Sequence, residues 1–487
     1  MPDTTIDMPP EEFRRAGHEV IEWIAEYLDG IRNLPVLPAI SPGEVRAQLP
    51  QTAPDTPESI DRILDDFRNI IVPANTHWNH PRFHAYFSVS ASSPGILAEA
   101  LTAALNVNGM VWKSSPAFTE LELTVVDWLR QWLGLPDSFL GVIYDTASVS
   151  TMHALIAARD FVDPDSRARG SRGDLIVYTS EQAHSSVEKG AMAIGIGQDN
   201  VRKIGVDAEF RMRPELLAQA LEQDVGTGKR PCCIVPTVGT TSTTSIDPVS
   251  EVIDIGARYG AWVHVDGAYG GCAGIVPEFR YLMDSVDRAH SFVVNPHKWL
   301  FTPIDCSVLY LSRPEHLRRA LSLTPEYLKT TEDDRVVNLM EYGVPLGRRF
   351  RALKLWFVMR WFGRDRMAAI IRSHVEMARA LASEIAADDR FEISAPVPLS
   401  LVCFRLRHGD AATRQLLQRV NEGGVAFLSH TVLQGNFVLR LALGNLRTTG
   451  ADIRLVWQTL QKEAATVLAC YPEPECNLPD FRPQSSA

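Results

Sequence analysis

Short apolar runs alternate with helical patterns between residues 174 and 311, and this alternation limits the possible folds more than any other feature of the chain. Runs of this kind, separated by helices, are typical of a mostly parallel sheet whose two faces are covered. We therefore predict an α/β fold in which ligands bind outside the carboxyl ends of the strands. The runs cover residues 175–178, 232–235, 261–265, 292–294 and 307–311.

Two ionisable residues follow such runs closely. Asp266 comes directly after the run 261–265, and Lys298 lies just beyond the run 292–294. Taken alone, each is most often a polar residue leaving the core. Together, and with His184 upstream, they favour pyridoxal phosphate (PLP) as a cofactor. The lysine can hold the cofactor as a Schiff base, and the aspartate can keep the pyridine nitrogen protonated.

A phosphate site is predicted where Thr146, Ala147 and Ser148 open a helical pattern that continues over residues 151–159. The unpaired N–H groups and the dipole of a helix N-terminus attract a phosphate, and small side chains let it approach. For Ser148 considered alone, an ordinary N-cap is the alternative.

The chain length of 487 residues predicts one large domain and a smaller one. An N-terminal helix carries an apolar stripe that includes Phe13 and Ile21, and a proline-rich stretch follows it, which indicates an arm that packs on a partner subunit. Beyond residue 388 the pattern is that of a small α+β domain, with a frayed tail at 472–487. The expected division is 1–90 for the helical arm and linker, 91–385 for the PLP-binding domain and 386–487 for the small domain.

The composition excludes several classes of partner. The formal net charge is -11 and the arginines cluster only locally, so nucleic acid is not expected. The seven cysteines are odd in number and lack CxxC spacing, which indicates reduced core thiols. Neither a signal peptide nor a membrane-spanning run is visible. We expect a cytoplasmic protein with no metal at its site.

Three motifs resemble those of the group II PLP-dependent amino acid decarboxylases, especially the aromatic L-amino acid decarboxylase branch. They are Asn-Pro-His-Lys-Trp at 295–299, His-Val-Asp-Gly-Ala-Tyr at 264–269 and Pro-Leu-Gly-Arg-Arg-Phe at 345–350. The likeness covers nearly the whole chain. It implies PLP-dependent fold type I with an N-terminal helical arm and a small C-terminal α+β domain. It also implies a carboxy-lyase that works as a homodimer with shared active sites.

The resemblance also implies roles for individual residues. Lys298 is similar to the lysine that binds the cofactor, Asp266 to the partner of the pyridine nitrogen, and His184 to the imidazole stacked on the ring. Tyr327 matches the tyrosine of a mobile catalytic loop that protonates the product. The remaining positions that match cofactor contacts are Thr241, for the ring hydroxyl, and Ala147, Ser148 and Asn295, for the phosphate.

Two positions of the phosphate turn differ from the family pattern. Asp145 stands where glycine or serine is usual, and Val149 stands where glutamate is usual. We expect Asp145 to point away from the phosphate or to cap the helix, because an anion facing a phosphate would weaken binding.

The substrate pocket is expected to favour a flat aromatic side chain through stacking and burial. In relatives, a glycine at the position of Gly347 leaves room for indole, so tryptophan and 5-hydroxytryptophan join tyrosine, DOPA and phenylalanine as candidates. Val89 replaces a common threonine, and Met110 replaces a phenylalanine that the partner subunit contributes. The expected pocket residues are Trp78, Phe87, Val89, Met110 and Gly347.

Two alternatives to simple decarboxylation stay open. An aldehyde synthase of the same scaffold would give aldehyde, ammonia and peroxide, but such relatives tend to lose the loop tyrosine or the stacking histidine, and Tyr327 and His184 are both present. A non-catalytic relative that no longer holds the cofactor is the second alternative. A PLP aminotransferase is less expected, because the motifs match the decarboxylases.

Overall fold

A seven-stranded sheet forms the centre of the protein, in a computed structural model that describes residues 7–323, 326–328, 330–332 and 335–470. Its strands are β1 (Leu140–Tyr144), β2 (Leu175–Ser180), β3 (Val201–Ile204), β4 (Arg230–Val235), β5 (Trp262–Asp266), β6 (Ser291–Val294) and β7 (Ser307–Leu311). The strand order is β1-β7-β6-β5-β4-β2-β3. The strands β3, β2, β4, β5 and β6 run parallel, whereas β7 is antiparallel to both β6 and β1. The prediction of a mostly parallel sheet is confirmed.

Helices cover both faces of this sheet. The helices of the described chain are α1 (Pro10–Gly30), α2 (Glu44–Gln48), α3 (Ile60–Asp66), α4 (Ser93–Leu105), α5 (Pro116–Leu133), α6 (Ala147–Val162), α7 (Ser166–Arg169), α8 (Ser186–Ala193), α9 (Pro214–Gly226), α10 (Val249–Arg258), α11 (Pro296–Trp299), α12 (Pro314–Leu321), α13 (Arg351–Ala386), α14 (Asp410–Glu422) and α15 (Gly450–Leu468). Along β4, Ile234 packs in one core with residues of α5 and α10, whereas Cys233 and Val235 pack in another core with residues of α6 and α8. Side chains that alternate in this way explain why the strands are apolar throughout.

The two edge strands of the sheet were not predicted, for different reasons. The run of β1 contains Gly141, where a Cβ atom would lie only 2.8 Å from Val126 of α5, so close packing requires a residue that weakens the strand signal. The strand β3 contains Arg202 and Lys203 and is only partly buried, so it lacks an apolar run.

A second, antiparallel sheet lies near the C-terminal end of the described chain. Its strands are β8 (Phe391–Ile393), β9 (Leu401–Leu406), β10 (Ser429–Leu433) and β11 (Asn436–Ala442), in the order β10-β11-β9-β8. A separate core joins it to α14 and α15. The small α+β unit agrees with the sequence, although β10, a partly exposed edge strand, and α15 were not foreseen. The division at residues 90 and 385 stays a prediction.

The long helix α13 connects the two cores. The sequence predicts an apolar helix only over 350–362, but the helical element continues to residue 386 through a break at Gly363, whose φ is 65°. Leu355 belongs to the core of the large sheet, whereas Leu381 belongs to the core of the small one.

Several sequence features outside the sheets can be located. The N-terminal helix α1 leaves Phe13 and Ile21 exposed in the single chain. Five of the six described cysteines are buried, Cys470 is exposed, and all six are free thiols. Within the described ranges, no helix is long and apolar enough to cross a bilayer. The tail that was expected to fray at 472–487 lies outside these ranges.

Candidate active site

The carboxyl ends of β5 and β6 bring Asp266 and Lys298 to one cavity. The two strands are parallel neighbours, with Asp266 level with Val293, and the short helix α11 then carries Lys298. A cavity of ≈ 140 Å³, here called the inner cavity, opens between them. It is lined by all seven residues that the sequence proposed for the cofactor: Ala147, Ser148, His184, Thr241, Asp266, Asn295 and Lys298. Their individual roles stay predictions.

The Lys298 amine is deeply surrounded by protein. Burial lowers the pKa of its ammonium group, while the negative charge of Asp266 opposes the shift. The Lys298 Nζ atom lies 5.5 Å from the centre of the Phe87 ring. The Asp266 carboxylate accepts a hydrogen bond from the Ala268 N–H at 3.0 Å, which fixes its orientation. A lysine with a lowered pKa is neutral more often and is therefore a better nucleophile.

The imidazole of His184 stands at the inner cavity in a defined tautomer. The Ser186 N–H donates to His184 Nδ1 at 3.1 Å, so in the neutral ring Nε2 carries the proton. Burial in the cleft lowers the pKa of His184 although the side chain reaches solvent; Lys298 lowers it further and Asp266 raises it. The ring is therefore kept mainly neutral near pH 7.

The phosphate turn lies between β1 and α6. The helix α6 begins at Ala147, and its N-cap residue Thr146 makes no side-chain cap bond, so N–H groups of the first turn remain available. The Asp145 carboxylate accepts hydrogen bonds from the N–H and the hydroxyl of Thr146 and does not line the inner cavity. Val149 packs against the core on one face of the sheet. The unusual Asp145 thus bonds to Thr146, the N-cap residue of α6, and its orientation relative to a bound phosphate stays a prediction.

Several polar atoms of the inner cavity fit a cofactor with hydrogen-bonding groups. Among the described residues, Ser186 Oγ, Thr237 Oγ1 and Asn295 Oδ1 are buried and have no hydrogen-bond partner. All three residues line the inner cavity. Buried polar atoms normally have partners, so these three atoms indicate a polar ligand at this place. Together with the α6 N-terminus, Asp266 and Lys298, the set fits PLP.

A larger and more apolar space, here called the outer cavity, adjoins the inner one. It has a volume of ≈ 730 Å³ and shares Phe87, His184, Thr241 and Lys298 with the inner cavity. The predicted pocket residues Trp78, Phe87 and Val89 line it. The sequence analysis missed Tyr86, whose ring stacks on Trp78 with 5.8 Å between ring centres. Its position directly before the predicted pocket residue Phe87 was the available signal.

Arg440 of β11 is a second lining residue that the sequence analysis missed. Its guanidinium donates to the carbonyl oxygens of Thr241 at 2.7 Å and Ser242 at 3.0 Å and to Ser429 Oγ at 2.9 Å. It also lies 5.5 Å from the centre of the Phe87 ring. Burial lowers the pKa of Arg440. The C-terminal sheet thereby fixes the loop that carries Thr241, a long-range contact without any local sequence signal.

Two predicted pocket residues lie apart from both cavities of the single chain. Met110 packs in a small cluster with Val111, Leu328 and Met340, and Gly347 lies next to the Asn108 side chain. Neither lines the inner or the outer cavity. The expected placement of Met110 in a partner's site and the pocket role of Gly347 both stay predictions.

Tyr327 belongs to a short 3₁₀ helix, Glu326–Leu328, but its side chain lies outside the described part of the structure. The same holds for residues 329, 333 and 334 of the segment expected to form a lid. The proton-donating role of Tyr327 therefore stays a prediction.

A third cavity, of ≈ 650 Å³, is lined by Asp207, Arg211 and Tyr281 among others. It contains no residue proposed for the cofactor or the substrate. Its carboxylates and guanidinium groups largely pair with one another, as in the Asp207–Arg211 contact of 2.8 Å. We therefore assign the chemistry to the inner and outer cavities.

Comparison with known proteins gives consistent matches. The model of the pyridoxal-dependent decarboxylase conserved domain matches residues 42–407. Aromatic-L-amino-acid decarboxylase of Mus musculus is 41% identical over 478 residues, 95% of this chain and 99% of that protein. Phenylacetaldehyde synthase of a Rosa hybrid cultivar is 41% identical over 490 residues, 95% of this chain and 96% of that protein. The crystal structure of Oryza sativa TDC with PLP and tryptamine has a TM-score of 0.92 at 37% identity and covers 95% of this chain and 99% of that one.

Proposed function

The chain belongs to the family of pyridoxal-dependent decarboxylases, and on that premise we propose that it converts an aromatic L-amino acid into its amine and carbon dioxide. The observation that carries the proposal is the junction of the two cavities. Lys298, Asp266 and His184 meet in a small polar cavity, which opens directly into a larger space lined by Trp78 and Phe87. The residues proposed for the chemistry thus lie next to the aromatic residues proposed to bind the substrate side chain.

The cofactor of this family is PLP, which when bound supplies an electron sink for the bonding pair left by the departing carboxylate. Lys298 Nζ would bind it covalently and Asp266 would keep a proton on its pyridine nitrogen. Ala147, Ser148 and Asn295 would hold its phosphate, and Thr241 would hold its ring hydroxyl. The orphaned polar atoms of the inner cavity support this assignment.

Loss of carbon dioxide leaves the substrate Cα atom to be protonated, and the protein has to deliver that proton. We assign its delivery to the substrate Cα atom to Tyr327, as the resemblance implies, with His184 as a relay. The Nε2–H of His184, set by the Ser186 contact, is the donor that such a relay needs. General acid assistance of this kind is worth about 10²- to 10⁴-fold in rate.

The outer cavity supports an aromatic substrate. Three aromatic residues, Tyr86, Trp78 and Phe87, line it, and Ile304 and Val89 add apolar surface, a lining that suits a flat aromatic side chain. Tryptophan, 5-hydroxytryptophan, tyrosine, DOPA and phenylalanine are the candidates. The tryptamine bound to the rice TDC supports an indole among them, because tryptamine is what decarboxylation of tryptophan leaves.

An aldehyde synthase activity is the second candidate, and a specific observation keeps it open. The rose phenylacetaldehyde synthase is as similar to this chain, at 41% identity, as the mouse decarboxylase. The presence of both His184 and Tyr327 favours simple decarboxylation. The products distinguish the two reactions, because only the synthase consumes oxygen and releases ammonia and peroxide.

A homodimer with shared active sites completes the proposal. The helix α4 exposes Leu97, Leu101 and Leu105 at 50%, 48% and 59%, all on one helical face. Phe13 of the arm is 69% exposed. Faces of this kind mark association surfaces, and a second copy would cover them. In such a dimer, Met110 and Gly347 would line the partner's outer cavity.

The buried free thiols support a cytoplasmic location.

The first experiment mixes purified, PLP-loaded protein with tryptophan, tyrosine, DOPA, phenylalanine and glutamate separately and identifies the products by mass. We expect an amine from at least one aromatic substrate and none from glutamate. Aldehyde with peroxide would replace this function by the synthase activity. No product from any substrate, although the cofactor is bound, would refute the proposed reaction.

A further inference from the structure

A buried ion pair ties together three segments of the chain that line neither cavity. Glu122 of α5 is fully buried, and its Oε1 accepts from Arg348 Nη2 at 2.6 Å and from the Ile143 N–H at 3.0 Å. The same Arg348 Nη2 donates to the Ile143 carbonyl at 2.8 Å. The pair therefore binds both backbone groups of Ile143.

Ile143 connects the Glu122–Arg348 pair to the proposed cofactor site, because it lies in the strand that leads into the phosphate turn. It belongs to β1, the edge strand of the large sheet, and its outward backbone groups have no neighbouring strand. The phosphate turn begins two residues later, at Asp145. Because Glu122 and Arg348 replace a missing strand at this edge, they set the position from which the turn departs.

On its other side the pair reaches the segments proposed for substrate selection. The Arg348 N–H donates to Asn108 Oδ1 at 2.9 Å, and the Gly109 N–H donates to the Arg348 carbonyl at 3.1 Å. Gly347 and Met110 are direct chain neighbours of these residues. The ring of Phe118 adds a contact, since the Arg348 guanidinium lies 6.0 Å from its centre.

The pair is not arranged for greatest stability. Glu122 Oε2 and Arg348 Nη1 are buried and have no hydrogen-bond partner within the described chain. A buried ion pair with unmatched atoms is a poor source of folding free energy, because desolvation offsets much of the attraction. Such a pair is better suited to hold the segments that it joins in one conformation than to stabilise the fold.

We propose that Glu122 and Arg348 are positioning residues that link the cofactor-phosphate turn to the segments carrying Gly347 and Met110. The inference rests on the proposed function for the selective role of those two segments. In the proposed dimer they belong to the neighbour's outer cavity. Cofactor bound in one subunit therefore orders the substrate pocket of the other.

Hydrogen exchange tests the link without any turnover. Peptides covering 106–112 and 338–348 are followed in the cofactor-free and PLP-loaded protein. PLP is expected to slow their exchange at least about fivefold in the wild type. The slowing should disappear in Glu122→Gln and in the neutral double variant Glu122→Gln/Arg348→Gln, which leaves no unpaired charge if the single variant folds poorly.

The matched control is Asp163→Asn. It weakens a partly buried ion pair, Asp163 with Arg230 at 3.0 Å, at the amino-terminal end of β4, where Arg230 also pairs with Asp174. The control should keep the wild-type response to PLP. No slowing in the wild type, or equal slowing in wild type and double variant, would overturn the proposed link.

Substrate selectivity gives a second readout that lost stability alone would not move. The ratio of kcat/KM for tryptophan to that for phenylalanine should change about tenfold or more in the double variant and stay constant in Asp163→Asn. An unchanged ratio in the double variant would overturn the selective role. If the wild type forms no aromatic amine at all, the proposed function fails, whereas hydrogen exchange still decides the link.

Discussion

The inner and outer cavities differ in how far one chain completes them. The inner cavity is small and polar, and all seven residues proposed for the cofactor already line it in a single chain. The outer cavity is larger and mainly apolar, and two of its five proposed residues, Met110 and Gly347, lie elsewhere. With the dimer proposed above, one chain would set the chemistry and two chains together would set the selectivity. Five measurements test this division.

The largest effect is expected from Lys298→Ala. Without the amine, no covalent attachment of PLP is possible, and kcat should fall by on the order of 10⁴-fold or more. Steady-state kinetics and the visible absorbance of the cofactor measure it. The thermal transition serves as the control and should change little. Retention of more than a few per cent of the activity would contradict the assignment.

Tyr327→Phe should lower the rate of amine formation by about 10²- to 10⁴-fold, because it removes the hydroxyl to which we assign protonation of Cα. Cofactor affinity should remain at the wild-type level, since the inner cavity is intact. Titration with PLP and product analysis measure the two effects. Equal losses in rate and cofactor affinity would contradict the proton-donor role.

Acid should destabilise the folded protein through two buried histidines, His264 and His297, the second of which lines the inner cavity. Burial lowers the pKa of His264 to about 4 and that of His297 to about 3. Both are neutral in the folded protein, whereas the unfolded chain binds protons below a pKa of about 6.5. The free energy of unfolding therefore falls as the pH drops from about 6.5 towards 4. At pH 5.5 these two residues alone should cost about 3 kcal/mol relative to pH 7.5. Urea unfolding at both pH values measures it, and higher stability at pH 5.5 would contradict it.

Gly347→Val should act on selectivity alone. A Cβ at Gly347 would meet the Asn108 side chain at 3.5 Å, an ordinary contact, so the fold should tolerate it. The added bulk should reduce kcat/KM for tryptophan relative to phenylalanine by about 10- to 100-fold. Gly347→Ala should give a smaller shift in the same direction. If neither changes the ratio, Gly347 does not face a substrate.

The smallest effect is expected from Asp145→Asn. The carboxylate already accepts hydrogen bonds from Thr146, and asparagine can accept them too, so the Kd for PLP should stay within about threefold. Ser148→Ala provides the comparison and should weaken binding more, by about tenfold, through a lost hydrogen bond to a charged group. A large change at Asp145 would mean that its charge acts on the phosphate.

The sequence was most informative where strand ends carry unusual polar residues. Asp266 and Lys298 follow apolar runs, and the parallel sheet then brings them to one edge without further information. The helix start at Ala147 was predictable as well, because the signal of a helix N-terminus is local; its role in binding phosphate stays a prediction. Motif resemblance added Thr241 and Asn295, and His184 was selected by its order relative to Asp266 and Lys298.

Contacts distant in sequence could not be predicted. Arg440 lies in an ordinary apolar strand, and only folding brings it 2.7 Å from the Thr241 carbonyl. The Glu122–Arg348 pair joins residues more than two hundred positions apart. Edge strands β1 and β3 were missed because they lack the apolar runs of buried strands. The sequence also did not show that Gly347 would lie apart from both cavities of the single chain.

The bond between Arg440 and the Thr241 loop has a consequence for biosynthesis. The residues of the inner cavity leave the ribosome well before β11, and the N-terminal part of a chain generally folds first. Until residue 440 has emerged, the carbonyl groups of Thr241 and Ser242 lack their guanidinium partner. A nascent chain that is still missing its C-terminal sheet would therefore hold PLP poorly, and cofactor capture becomes a final step of maturation.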